Sequence, residues 1–194
     1  MKRTVSVLKL IALAYLGFLA FFLLSGYHPE QPGYDPPFAI WLLDTINLFI
    51  HEAGHLFFRP FGMWMHIIAG SLFQIVLPLA LLIVTWREKP DQITLPGFWL
   101  GESMVNVSAY IFDGPHMKLK LIASGLIHDW NYLLGGNRDA AELLGWMVFG
   151  AGMVLAVGSV GWGTWKVVES LREEGTAREV TPSRSDPPGW DKTP

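Results

Sequence analysis

Cysteine is absent from the chain. Its absence excludes disulfides, thiolate metal sites and a cysteine nucleophile, and leaves histidines and carboxylates as the side chains that could ligate a metal. Charge is scarce as well: Asp, Glu, Lys and Arg make up 16% of the 194 residues while 51% are apolar, and the mean hydropathy is positive. An ordinary soluble domain carries about a quarter charged residues, so the composition points to one small membrane domain. No long basic run accompanies the net charge of −3, so nucleic acid is not an expected partner. No PDZ-like or nucleotide-binding extension is recognisable in this sequence, and none is expected to take part. Selection and regulation of any ligand must then come from the membrane domain itself, the loop from Tyr27 to Pro37, or a regulatory partner in the membrane.

What the sequence has in quantity is apolar runs separated by breakers. Lys2, Arg3 and Lys9 precede a run from Leu10 to Leu24 with no small-x-small cleavage signal at its end, so a retained first transmembrane helix is expected rather than a signal peptide. Three prolines and a glycine between Tyr27 and Pro37 form a loop. A second span starts near Phe38 and is broken by Arg59-Pro60 and Gly62; a third runs from Met63 to Trp86. The fourth, Pro96 to Phe112, contains Glu102, Asn106 and Ser108, so it is tilted or faces the protein interior. Residues from His116 to Ala140 read as an interfacial connection with a turn at Gly135-Gly136-Asn137. A last span follows from Ala141 to about Val168, where Gly152 and Ala156, and Ser159 and Gly163, are spaced for close helix packing. The expected fold is all-α: a polytopic membrane bundle of about five transmembrane segments over residues 1–169, then a polar, disordered tail over 170–194.

Within the second span lies His51-Glu52-Ala53-Gly54-His55. On a helix, two histidines four residues apart project from one face and can hold one zinc ion per chain, with Glu52 placed as general base toward water. His and Glu are costly at membrane depth, so their clustering calls for a functional reason or for mutual satisfaction. The competing structural reading is a pair of solvated or core histidines. Asp44 falls on nearly the same face but about 10 Å along the axis, too far to share the metal. Asn47, one turn before His51, is positioned to hydrogen-bond a ligand imidazole. For both, an interhelical hydrogen bond is the alternative.

Three blocks in order resemble the site-2-protease-like intramembrane metalloproteases, peptidase family M50. They are His51-Glu52-Ala53-Gly54-His55; Ala69-Gly70-Ser71-Leu72-Phe73-Gln74, similar to an A-G-P-x-x-N block; and Asn106 through Phe112 to Asp113-Gly114, similar to an N-x-x-P-x-x-x-L-D-G block. Ser71 and Gln74 replace the proline and asparagine of the second block. The third lacks its proline and has Asn106 one residue closer to the aspartate. The resemblance implies a zinc peptidase acting on membrane proteins, with Asp113 as third metal ligand beside His51 and His55. His128, next to Asp129 and Trp130, is the rival third ligand. Glu102 is another candidate, but it lies about 16 Å from Asp113 along one helix, so both cannot bind the same ion. Gln74 and Asn106 are candidates to hold an extended substrate backbone.

Five crossings bring Asp113 to the same side as His51 and His55. The distribution of Lys and Arg then favours a cytoplasmic N-terminus only weakly, with the site near the cytoplasmic face. The expected setting is a multi-pass protein of a bacterial cell membrane, with the lipid bilayer and a membrane-protein or peptide substrate as partners. Two other readings stand beside the peptidase. One is a zinc-binding membrane protein without turnover. The other is a transport or scaffold module using its intramembrane polar residues.

Overall fold

The computed structural model describes residues 2–119 and 127–180. It is helical, with no strand among the described residues: α1 (Lys2–Ser25), α2 (Phe38–Phe58), α3 (Met63–Glu88), α4 (Thr94–Asp113), the short α5 (Asp129–Leu134) and α6 (Arg138–Val180). The breakers act where the sequence puts them. Pro37 precedes the first turn of α2, and Gly62, at φ 93°, takes a conformation that side-chain-bearing residues avoid and so separates α2 from α3. Gly135 ends α5 in the left-handed region at φ 58°.

Three helices are long and apolar enough to cross a membrane: Val5–Ser25, with mean hydropathy 2.4, Met63–Glu88, with 2.5, and Arg138–Glu174, with 2.0. Three of the five expected spans, α1, α3 and α6, meet this measure; α2 and α4, which carry polar side chains that turn inward, do not. α4 is the central helix. Glu102, Ser103 and Ser108 on it are almost wholly buried, and α6 runs on to Val180, past the residue 170 at which a polar tail was expected. Residues 181–194 of that tail lie outside the described residues.

Glycines set how closely α4 and α6 approach. A side chain at Gly101 would run into the backbone of Gly152 and Ala156, and one at Gly152 would run into the backbone of Gly101. The small-residue spacing read from α6 thus faces α4.

Helix directions follow from the same contacts. Gly163 is flanked by Leu13 and Thr94, while Asn106 donates to the Tyr27 hydroxyl at 2.7 Å, so α1 and α4 run the same way. Gln74 bonds Asn106 at 2.7 Å, and Leu82 lies near Gly97, so α3 runs opposite to α4. α6 is also opposite, with Gly145 against Phe112 at one end and Gly163 against Thr94 at the other.

Candidate metal centre

Both histidines of the motif project from α2 toward α3 and α5. His51 Nε2 lies 2.8 Å from Asp129 Oδ2, and His55 Nε2 lies 3.2 Å from the same oxygen. The three side chains form a group that could hold a metal ion, with one donor atom from each lying within 4.8 Å of the others. Tetrahedral zinc with ligands near 2.0–2.2 Å separates its donors by about 3.3 Å, close to the spacings seen here.

The surroundings suit a metal in a second way. A Cβ at Gly70 would stand 2.7 Å from Nε2 of both His51 and His55, so the missing side chain leaves room directly against the two lone pairs that would coordinate. On its other edge, His55 donates Nδ1–H to the His66 carbonyl at 2.7 Å, and His66 returns the same bond to the His55 carbonyl at 2.8 Å. This reciprocal pair fixes the His55 ring and directs Nε2 into the group. Burial raises the cost of ionising Asp129, but its hydrogen bonds with His51 and His55 outweigh that cost and bring the carboxyl down to about 2.

The carboxylate that the fold brings to the two histidines is Asp129; Asp113 and His128, the expected candidates, lie outside this group. Asp113 accepts hydrogen bonds from the backbone N–H groups of Lys118 and Leu119, each at 2.8 Å, and from His128 Nε2 at 3.1 Å. The other His128 nitrogen caps α5 by accepting from Asn131 N–H. Both His128 ring nitrogens thus face groups around the start of α5. Asp113 and His128 brace the start of α5, whose first residue is Asp129. Trp130 strengthens that placement by donating to Ser71 at 3.1 Å, and Asn131 by donating to the Gly114 carbonyl at 2.9 Å. Sequence offered one signal for Asp129, a carboxylate beside His128; its approach to α2 depends on a contact 78 residues away in the chain.

Glu52 is half-buried and lines a cleft of about 490 Å³ with His55, Arg59 and His66. It makes no hydrogen bond with any described residue, so its carboxylate is available to a water. His51 also lines a separate cavity of about 190 Å³, with Tyr27, Asp44, Gln74, Asn106 and Tyr110. Tyr110 stacks on the His51 ring at 5.9 Å.

Asn47 does not reach an imidazole. It donates to Glu102 at 2.8 Å and accepts from Trp99 and Ser103 at 2.9 and 3.1 Å, tying α2 to α4. Asn106 donates to Asp44 at 2.8 Å, and the Tyr27 hydroxyl donates to the same oxygen at 2.7 Å. Asp44 and Glu102 thus serve the interhelical network and stand outside the metal group. The Ser71 and Gln74 departures have partners of their own, Trp130 and Asn106.

Compared with known proteins, the chain matches no family model, no curated protein and no solved structure.

Proposed function

We propose that this chain is a multi-pass intramembrane zinc metallopeptidase of M50-like chemistry, hydrolysing peptide bonds in membrane-protein substrates. The observation that carries this reading is the convergence of His51, His55 and Asp129 over Gly70, with the unbonded Glu52 one residue from a ligand. Three protein donors leave one position free, as hydrolytic zinc sites require. Zinc held there would supply Lewis acidity, polarising a peptide carbonyl and lowering the pKa of water toward about 7. Glu52 accepts the proton of the attacking water and returns it to the leaving amine nitrogen, so that water adds across the C–N bond as it breaks. Asp113 and His128 hold Asp129 in position. Gln74, Asn106 and Tyr110 line the cavity on the His51 side, where a substrate backbone would find amide and hydroxyl partners.

One observation favours a second reading, a zinc-binding membrane protein without turnover. Gln74 and Asn106, the residues expected to hold substrate, bond each other. The test uses the full chain in detergent micelles, with metal content measured by elemental analysis and cleavage measured on fluorescence-quenched single-span peptides. The peptidase reading expects about one zinc per chain and slow cleavage, with Glu52→Gln keeping the metal and losing turnover and His51→Ala losing both. Zinc retained by the wild type with no cleavage of any peptide selects the second reading. Cleavage undiminished in Glu52→Gln overturns the first.

A further inference from the structure

The antiparallel arrangement of α1 and α3 restricts how often the chain crosses a bilayer. α1 and α4 run one way, as Leu13 meets the level of Thr94 and Tyr27 that of Asn106; α3 and α6 run the other way. Only α2 lies between α1 and α3. If α2 crossed fully, α1 and α3 would point in the same direction. They point in opposite directions, so α2 begins and ends on one side. The same parity has α4 cross, because α3 and α6 are parallel and α4 is the long helix between the end of one and the start of the other, residues 114–137 adding only the short α5 among the described residues.

Local structure agrees. After α1 the loop turns back on itself, with Tyr34 packed against Tyr27 and Phe22 at ring separations of 5.8 and 6.3 Å. Asp44, in the first half of α2, already bonds the Tyr27 hydroxyl at the end of α1.

We propose that the chain crosses the membrane four times, through α1, α3, α4 and α6, with the loop before α2 and α2 itself forming a re-entrant element that returns to the face it left. The distribution of basic residues then becomes one-sided. Lys2, Arg3 and Lys9 at the start of α1, Arg87 and Lys89 between α3 and α4, and Lys166 and Arg172 late in α6 share one face. Lys166 pairs with Asp91 at 3.2 Å, which fixes the late part of α6 beside the α3–α4 connection. The opposite face has Arg59, Lys118 and Arg138, with Lys120 in the same connection but outside the described residues. The excess of Lys and Arg marks the first face as cytoplasmic.

The metal centre lies toward the other face. Glu52, His55, Arg59 and His66 surround their cleft at the junction of α2 and α3, and Asp129 belongs to the connection after α4. The centre therefore opens away from the cytoplasm. On the peptidase reading above, its substrates are membrane polypeptides whose scissile segment lies near the non-cytoplasmic surface, and the expected cytoplasmic placement of the site is reversed.

The cysteine-free chain allows a direct test. Single substitutions Gln31→Cys, Pro60→Cys and Asp139→Cys on one face, and Glu88→Cys and Thr176→Cys on the other, are made at exposed positions. Each full-length variant is expressed in bacterial cells and treated with a membrane-impermeant maleimide before and after permeabilisation. The expected result is labelling of Gln31→Cys, Pro60→Cys and Asp139→Cys in intact cells, and of Glu88→Cys and Thr176→Cys only after permeabilisation. Labelling that places Gln31→Cys and Pro60→Cys on opposite sides overturns the four-crossing topology. Labelling of Glu88→Cys and Thr176→Cys alone in intact cells overturns the orientation. Neither readout requires zinc or turnover, so a failure here is separable from a failure of the peptidase assignment.

Discussion

Gly70 shows how much at this site depends on a single missing side chain. A methyl group there would occupy the space against both Nε2 atoms, so Gly70→Ala is expected to eliminate stoichiometric zinc binding while leaving the helical circular dichroism spectrum unchanged. Zinc retained at full occupancy in that variant would place the metal elsewhere. A second pair of substitutions separates a ligand from the residue that positions it. Asp129→Ala should abolish tight binding, whereas Asp113→Asn should weaken it about 10–100-fold, as loss of supporting hydrogen bonds does at other metal sites; competition with a chromophoric chelator distinguishes the two. The Asp129 carboxyl lies below its ordinary value of about 3.9, at about 2. The stabilisation from its ionised form is thus complete above the ordinary value and is lost as pH falls through the lower one. In metal-free protein, α5 should keep its protection from hydrogen exchange down to about pH 4 and lose it only in stronger acid. At this scale the sequence disclosed the pair His51 and His55, and Glu52 beside them, through their spacing alone. It could not disclose Asp129, because nothing local distinguishes a carboxylate that caps a loop from one that crosses to another helix.

Among the elements, α4 and α6 depend on close backbone approach, and α5 on a few side-chain hydrogen bonds. Gly101→Leu would drive a large side chain into the Gly152 and Ala156 backbone and should destabilise the bundle by at least about 1–3 kcal/mol, the usual cost of overpacking, measured by denaturant titration in micelles. Trp130→Phe keeps an aromatic side chain but removes the hydrogen bond to Ser71 and part of the buried indole; a loss of at least about 1 kcal/mol is expected, with faster zinc release because Asp129 is its neighbour in α5. Helix limits were readable wherever proline and glycine mark them, as at Pro37, Gly62 and Gly135. The inward-facing character of α4 was readable from Glu102, Asn106 and Ser108. The extent of α6 was not, because its polar continuation after Glu169 has the composition of a solvated tail yet retains helix-forming residues such as Arg172, Glu173 and Glu174.

For the molecule as a whole, composition conveyed an all-helical membrane protein, but the relative directions of its helices were not legible from the apolar runs. Each run was treated as an independent span, and no local pattern records that α1 and α3 run in opposite directions; that relation resides in contacts such as Tyr27 with Asn106 and Leu82 with Gly97. α6 carries a different lesson. At 43 residues and about 1.5 Å per residue it is a rod of about 65 Å, roughly twice the hydrocarbon thickness. Its Lys166 sits beside Asp91 at the rim of the bundle, so the stretch up to Val180 projects about 20 Å beyond that rim. A fluorophore placed there would stand clear of lipid quenchers while rigidly coupled to the helix that begins beside α5, and its anisotropy would report any tilt of that helix when metal arrives at the far end.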